Sequence, residues 1–182
     1  MYRYMWYDTQ LPERFCDEIR NVLEENEGRL QNSRTLGEES SHIRDSDNYW
    51  IPDSHWINSF CSHYINLANR ENFKYDIYPG YQNNVIQYSL YKEDKFYGWH
   101  TDTIHDDKDE SRKLSFSLQL SNYDEYTGGD LQMIDEENEM YIGPKAKGSI
   151  IIFDSRLRHR VRKVTSGERR SLVGWVMGPR WK

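Results

Sequence analysis

The chain has 182 residues, 36% of them hydrophobic and 30% charged, with a formal net charge of −6. A mean hydropathy of −0.98 and a longest apolar run of only Ile150–Phe153 exclude a membrane-spanning helix, which needs about 20 apolar residues. The 14 Tyr, 6 Trp and 6 Phe exclude a disordered chain, since aromatics bury large areas, and the acidity removes the overall footprint of a duplex-binding protein.

A chain of this length is expected to form one domain. No repeat, linker or low-complexity tract divides it, so residues 1–182 are expected to be a single domain, with a helical part over 1–72 and a β core over 73–182. Met1–Trp6 lacks the apolar stretch and cleavage site of a signal peptide. Two cysteines, Cys16 and Cys61, are too few for a disulfide framework and fit buried thiols in a reducing cytoplasm.

From Pro12 to Glu25, Phe15, Ile19, Val22 and Leu23 fall at helical spacing, and Pro12 suits a first turn. Gln31 to Asn48 is polar and reads as a loop that covers something. From Asp53 to Arg70, Trp56, Ile57, Phe60, Cys61, Tyr64, Ile65 and Ala68 form a second helical stripe, with Asp53 or Ser54 as the cap.

After Glu71 the period changes to two. Phe73, Tyr75 and Ile77 alternate with polar residues, as do Ile86, Tyr88 and Leu90, and Leu114 through Leu120. Phe96–Trp99 reads as a strand. Further strands are expected at Gly129–Ile134, Gly148–Asp154, Arg160–Val164 and Arg170–Met177, punctuated by Tyr78-Pro79-Gly80, Thr127-Gly128-Gly129 and Ile142-Gly143-Pro144. About eight short strands after two helices predict a mainly β, α+β fold: an antiparallel barrel or jelly roll with the helices packed on one sheet.

Six histidines are present, His42, His55, His63, His100, His105 and His159. His55 and His63 belong to the second helix and read as packing or surface residues. Two His-x-Asp patterns compete, His100-Thr101-Asp102 and His105-Asp106-Asp107. The first ends a strand, where residues two apart share a face, so imidazole and carboxylate can converge. The second lies in an acidic, solvated stretch. His159, after the apolar strand Ile150–Phe153, supplies a third ligand. Two His and one carboxylate form the facial triad of non-haem Fe(II) oxygenases, and the same set serves zinc hydrolases; three ligands leave the metal open.

The run Tyr91-x8-His100-x-Asp102, then Gly128-Gly129-Asp130-Leu131, then Phe153-Asp154-Ser155-x3-His159-x-Val161-x2-Val164-Thr165-x-Gly167-x-Arg169-x-Ser171-x3-Trp175, resembles the prolyl 4-hydroxylase-type superfamily of 2-oxoglutarate/Fe(II) dioxygenases. It is most similar to small microbial and viral PKHD-like hydroxylases, over roughly residues 85 to 177. Ile43-Arg44-Asp45-Ser46 with Trp50 resembles their pre-barrel loop. Asp94 stands where the family often has Gly.

The resemblance implies a double-stranded β-helix with the metal at its mouth. It also implies Fe(II) on His100, Asp102 and His159, with 2-oxoglutarate and O₂ as co-substrates and ascorbate as a reductant. Arg169 matches the arginine that pairs with the distal carboxylate of 2-oxoglutarate, a task a planar guanidinium suits. Ser171 would donate to the same carboxylate, and Arg170 would face solvent. Tyr91 and Gln119 match positions lining the co-substrate pocket, and Leu131, Val161 and Trp175 its apolar wall. The implied reaction hydroxylates an unactivated C–H bond with release of succinate and CO₂. Asp102 favours hydroxylation over halogenation, since related halogenases lack this carboxylate. A peptidyl proline is the target the resemblance favours, and the acidic stretch Asp106–Glu110 suits a basic peptide. A nucleobase or free small molecule is the alternative, prompted by the seven Arg and Lys between Arg156 and Arg170. The other reading of those residues is the solvated side of strands. A catalytically inert jelly-roll binding module is the alternative outside enzymes. The loops 31–48 and 103–112 would frame the substrate entrance.

Overall fold

The structure, a computed structural model, describes residues 2–25, 31–32, 43–79, 86–103 and 109–181. His42, His105, the side chains of Val22 and Leu23, Gly80 and the central parts of loops 31–48 and 103–112 lie outside them.

The chain begins with β1 (Tyr4–Asp8) and α1 (Glu13–Glu24), followed by three short strands, β2 (Gln31–Asn32), β3 (Arg44–Asp45) and β4 (Asp47–Trp50). Helix α2 (Ile57–Ala68) comes next. The β-rich part holds β5 (Ile86–Tyr91), β6 (Phe96–His100), β7 (Glu110–Gln119), β8 (Tyr126–Gly128), β9 (Leu131–Ile134) and β10 (Met140–Ile142). It closes with β11 (Ser149–Asp154), β12 (Arg158–Val161), β13 (Val164–Gly167) and β14 (Arg169–Pro179).

The strands form a seven-stranded sheet, ordered β1-β11-β7-β14-β5-β4-β2, a five-stranded sheet, ordered β10-β9-β12-β6-β3, and a two-stranded β13-β8 ribbon. Pairings such as β11–β7, β14–β7 and β12–β6 are antiparallel. The alternation of each strand divides the core into two layers. Ile150 and Ile152 of β11 pack with Cys16, Ile19, Cys61 and Ile65 of the helices, so both helices cover one face of the larger sheet. Ile151 and Phe153 of the same strand pack with Leu131, Met133 and Val161 of the smaller sheet. Burying each such aliphatic or aromatic side chain contributes about 1.5–3 kcal/mol. The result is the expected jelly roll with helices on one sheet. Both cysteines are buried and unbonded, and burial pushes both thiols up, Cys16 to about 11.

Several local expectations are corrected. The alternation Phe73–Tyr75–Ile77 does not form a strand. Instead α2 continues through a π-helical turn, Asn69–Phe73, that buries Phe73. Lys74, at φ 55°, closes it by donating its N–H to the Asn69 carbonyl. Asp53 and Ser54 do not cap α2; it starts after Trp56 with no side-chain cap, and the His55 Nδ1 accepts the Ile57 N–H instead. Residues 31–48, read as loop, contain β2, β3 and the start of β4. The segment 1–72 is not purely helical, because β1 pairs with β11 along its whole length. The strand expected over Arg160–Val164 is two strands in different sheets. Asp94 takes φ 67°, a left-handed conformation that Asp tolerates better than most residues. That accounts for its place where glycine is usual.

Candidate active site

His100 is the last residue of β6 and His159 lies directly opposite it on β12. Asp102 follows β6 by two residues and is outside any strand. Its position comes from its own N–H, which donates to the Ser155 carbonyl at 2.9 Å; Ser155 in turn meets Ser115 of β7 through their hydroxyls. The two-residue spacing therefore works through a backbone clamp to the β11–β12 turn rather than through strand alternation.

The three side chains converge. Nε2 of His100 stands 3.6 Å from one Asp102 oxygen and Nε2 of His159 stands 3.3 Å from the other. Each imidazole is oriented by its far nitrogen: Nδ1 of His100 bonds to the Gly98 carbonyl at 2.8 Å and Nδ1 of His159 to the Leu157 carbonyl at 2.9 Å. A carbonyl only accepts, so both Nδ1 atoms carry a proton, and in the neutral form of each ring the Nε2 lone pair points into the site. Backbone orientation of metal-binding imidazoles has this form. The three donor atoms lie within 4.8 Å of one another, the one such cluster found among the described residues. Adjacent donors around a six-coordinate ion with bonds of about 2.1 Å stand about 3 Å apart, close to the 3.6 and 3.3 Å that separate each imidazole from Asp102.

Electrostatics agree with this arrangement. Burial disfavours the Asp102 charge, but the two imidazoles beside it overcome that and hold its carboxyl well below the usual range. Burial lowers His100. Burial also opposes charge on His159, but Asp102 outweighs it and the group ends above its ordinary value.

The triad shares one pocket with residues that include Tyr91, Leu131, Val161, Arg169 and Trp175. Arg169 is 2% exposed. Its Nη1 donates to Ser171 Oγ and its Nη2 to Gln119 Oε1, both at 3.0 Å, and its Nε has no partner. A buried guanidinium held by neutral acceptors, with an orphaned N–H, is short of an anion. The distal carboxylate of a dicarboxylate meets that need. Gln119 differs from the expectation: it stands behind Arg169 and bonds Tyr126, and does not line the pocket. Ser171 likewise supports Arg169.

Arg170 is corrected. It is largely buried on the helix side of β14, where it pairs with Glu24 of α1 and with Glu168. The opposite strand face exists as expected, but α1 covers it.

Sequence reasoning missed Tyr97, which stacks on His100 with ring centroids 3.5 Å apart and lines the pocket. Three residues apart on a regular strand, the two would face opposite ways. On β12 their partners are Val161 and His159, only two apart, so β6 carries an extra residue, a bulge. No sequence signal marks it. Also missed were Arg44, over the Tyr97 ring at 4.7 Å and bonded to Gln87, and Arg112, over Trp175 at 4.0 Å.

The profile of the 2OG-Fe(II) oxygenase superfamily matches residues 86–177, just over half of the chain. The chain belongs to this superfamily. Fe(II), 2-oxoglutarate and O₂ are the cofactor and co-substrates that membership brings, and the donor set and the orphaned Arg169 fit them. A PKHD-type hydroxylase of Parvibaculum lavamentivorans is 38% identical over 91 residues, covering 50% of this chain and 41% of that protein. One from Psychrobacter sp. is 36% identical over 94 residues, covering 49% and 36%. The chain thus matches less than half the length of these curated relatives. Among solved structures, a Pseudomonas putida prolyl-4-hydroxylase superposes with a TM-score of 0.76 at 19% identity, covering 100% of this chain and 95% of that one. A Trichoplax adhaerens prolyl hydroxylase, solved with a peptide fragment of hypoxia inducible factor, has a TM-score of 0.76 at 18% identity, covering 97% and 84%. These neighbours share the fold. No helix among the described residues is long and apolar enough to cross a membrane.

Proposed function

We propose that this chain is a 2-oxoglutarate-dependent hydroxylase of a protein or peptide, with a prolyl residue as target. In this reading His100, Asp102 and His159 hold Fe(II), Arg169 takes the distal carboxylate of 2-oxoglutarate, and residues 1–182 act as a single domain. The observation that carries it is the buried Arg169 with its unpartnered Nε, in the same pocket as a carboxylate flanked by two imidazoles.

When bound, Fe(II) with 2-oxoglutarate and O₂ supplies the oxidising power to place oxygen on an unactivated C–H bond, with succinate and CO₂ released. The chain's own residues do the rest. Gly98 and Leu157 hold the imidazole tautomers, and Ser155 fixes the Asp102 backbone. Arg169 orients the dicarboxylate by a bidentate contact that an ammonium cannot make. Leu131, Val161 and Trp175 wall the pocket and exclude water. Ascorbate would serve as the reductant that restores Fe(II).

Hydroxylation is supported by the curated PKHD-type hydroxylase relatives, and peptide as the substrate class by the peptide bound to the Trichoplax neighbour. The test is succinate formation with Fe(II), 2-oxoglutarate and O₂: proline-containing peptides should accelerate it. Acceleration by single-stranded nucleic acid or by free small molecules, and by no peptide, would replace this substrate class. Absence of succinate under every condition would support the inert binding module.

A further inference from the structure

The smaller sheet has an outer face that the pocket does not use. His159 and Val161 of β12 point into the pocket. Arg158, Arg160 and the following Arg162 alternate with them and point outward; Arg158 and Arg162 are exposed and Arg160 half-buried. Among the described residues none of the three has a carboxylate partner. The carboxylates nearest in the chain are committed elsewhere, Asp154 to Arg156 at 2.6 Å and Glu168 to Arg170, and Asp130 and Asp94 pair with Lys145 and Lys163, both at 3.1 Å.

Two of these arginines are held in place by aromatic and amide contacts. Arg160 lies 4.5 Å and Arg158 5.7 Å over the Trp99 ring of β6, and Arg160 Nε donates to Gln132 of β9 at 2.8 Å. A cation–π contact orients a guanidinium but leaves its charge. Beside them runs a shallow groove whose lining includes Phe96, Arg160, Arg162 and Lys163, and which meets the reacting pocket's wall at Tyr97 and Val161. On a protein of net charge −6, Arg160 and Arg162 present positive charge with no carboxylate partner among the described residues, and Arg158 extends the row toward a pocket that it shares with Asp135 and Glu136. The row begins at Arg158, next to the metal-site histidine, and runs away from the mouth.

We propose that this face is a docking surface for an acidic, extended segment of the polypeptide substrate, lying outside the reacting pocket. Alternate residues on a strand repeat about every 6.6 Å, in the arginines and in an extended peptide alike, so carboxylates at every second position can meet the row in register. β12 is flanked by β9 and β6, so contact comes through side chains and not by strand addition. A nucleic acid fits less well. Its bases would need a free aromatic face to stack on, and guanidinium groups cover Trp99. A long polyanion would also meet the acidic remainder of the protein.

This proposal rests on the polypeptide-substrate reading, and the experiment separates the two. Fluorescence anisotropy of the full chain is measured with a labelled oligoglutamate peptide, a neutral Gly-Ser peptide of equal length and an oligothymidylate of equal charge. The wild type should bind oligoglutamate over the neutral peptide in a salt-sensitive way. Replacing Arg158→Gln, Arg160→Gln and Arg162→Gln together should weaken it by between about threefold and about 150-fold, the range for losing three exposed ion pairs. Arg162→Glu alone should act in the same direction. Substrate-free succinate formation and 2-oxoglutarate affinity should not move. An acidic tail on a proline peptide should lower KM in the wild type and not in the triple variant, with kcat unchanged. Equal oligoglutamate binding by wild type and triple variant, or tighter binding of oligothymidylate, overturns the proposal. Turnover of proline peptides indifferent to the tail overturns it too and leaves the hydroxylase reading standing. Oligoglutamate binding that depends on the arginines, with no peptide turned over, upholds the anionic docking surface and removes the substrate reading.

Discussion

Replacing Arg169 with alanine removes the cation the pocket is built around. The side chain is 2% exposed, so solvent screens its interaction with a bound carboxylate very little. In the free protein it is held by Ser171 and Gln119, both neutral, and its Nε has no partner. Deleting one member of a buried ion pair costs about 3–5 kcal/mol. At about 1.4 kcal/mol per decade, Arg169→Ala should weaken 2-oxoglutarate by between about a hundredfold and a few thousandfold. Arg169→Lys should recover part of this, because an ammonium restores the charge and not the fork. Ser171→Ala removes one acceptor of the arginine and should cost about 0.5–1.5 kcal/mol. The assay is anaerobic titration of 2-oxoglutarate into the Fe(II) protein, with thermal unfolding measured on each variant to establish that it is folded. Unchanged affinity in folded Arg169→Ala, or a larger loss in Arg170→Ala, would refute the reasoning.

Arg170→Ala should leave 2-oxoglutarate affinity unaltered and destabilise the fold by about 1.5–3 kcal/mol, the range for a hydrogen bond to a charged group. It breaks the Arg170–Glu24 link between β14 and α1, so calorimetry should show a melting temperature several degrees lower. His100→Ala and His159→Ala should each lose more Fe(II) affinity than the roughly 10–100-fold of an outer-shell change, while His105→Ala should lose little; equilibrium metal titration decides. The raised His159 value gives the metal-free protein a stabilising protonated pair with Asp102. That contribution is fully present below about 6.5 and is lost as pH rises through the higher folded value. Metal binding needs the neutral imidazole, so Fe(II) affinity should rise with pH over that same interval and then level off. Asp102, held well below its usual range, should stay ionised throughout.

What the sequence made legible follows from local periodicity. Alternation on β14 separates Arg169 and Ser171 from Arg170, and alternation on β11 and β12 places His159 beside an apolar strand. What stayed hidden depends on contacts far apart in the chain. Arg170 looked solvated because its partner, Glu24, is 146 residues away. Tyr97 could not be assigned because the β6 bulge has no residue signature. β1 was missed because its residues are half-buried or exposed and its order comes from pairing with β11. Phe73 looked like the start of a strand because period two and the end of a helix both place an apolar residue there; the burial of Phe73 in the helix–sheet layer decides for the helix. Asp154 was visible in the motif, but not its task. It is 1% exposed and bonds Tyr75, Arg156 and Arg3, which ties the N-terminal segment and the residues after α2 to the turn that carries Ser155.

The most direct test of the account follows isotopically labelled O₂ during turnover of a proline-containing peptide with Fe(II) and 2-oxoglutarate. Mass spectrometry should find one labelled atom in succinate and one in the hydroxylated peptide, in equal amounts, with both signals lost in His159→Ala. Product whose added oxygen comes from water, or turnover that persists without His159, would contradict the assignment of His100, Asp102 and His159 as the centre of the reaction.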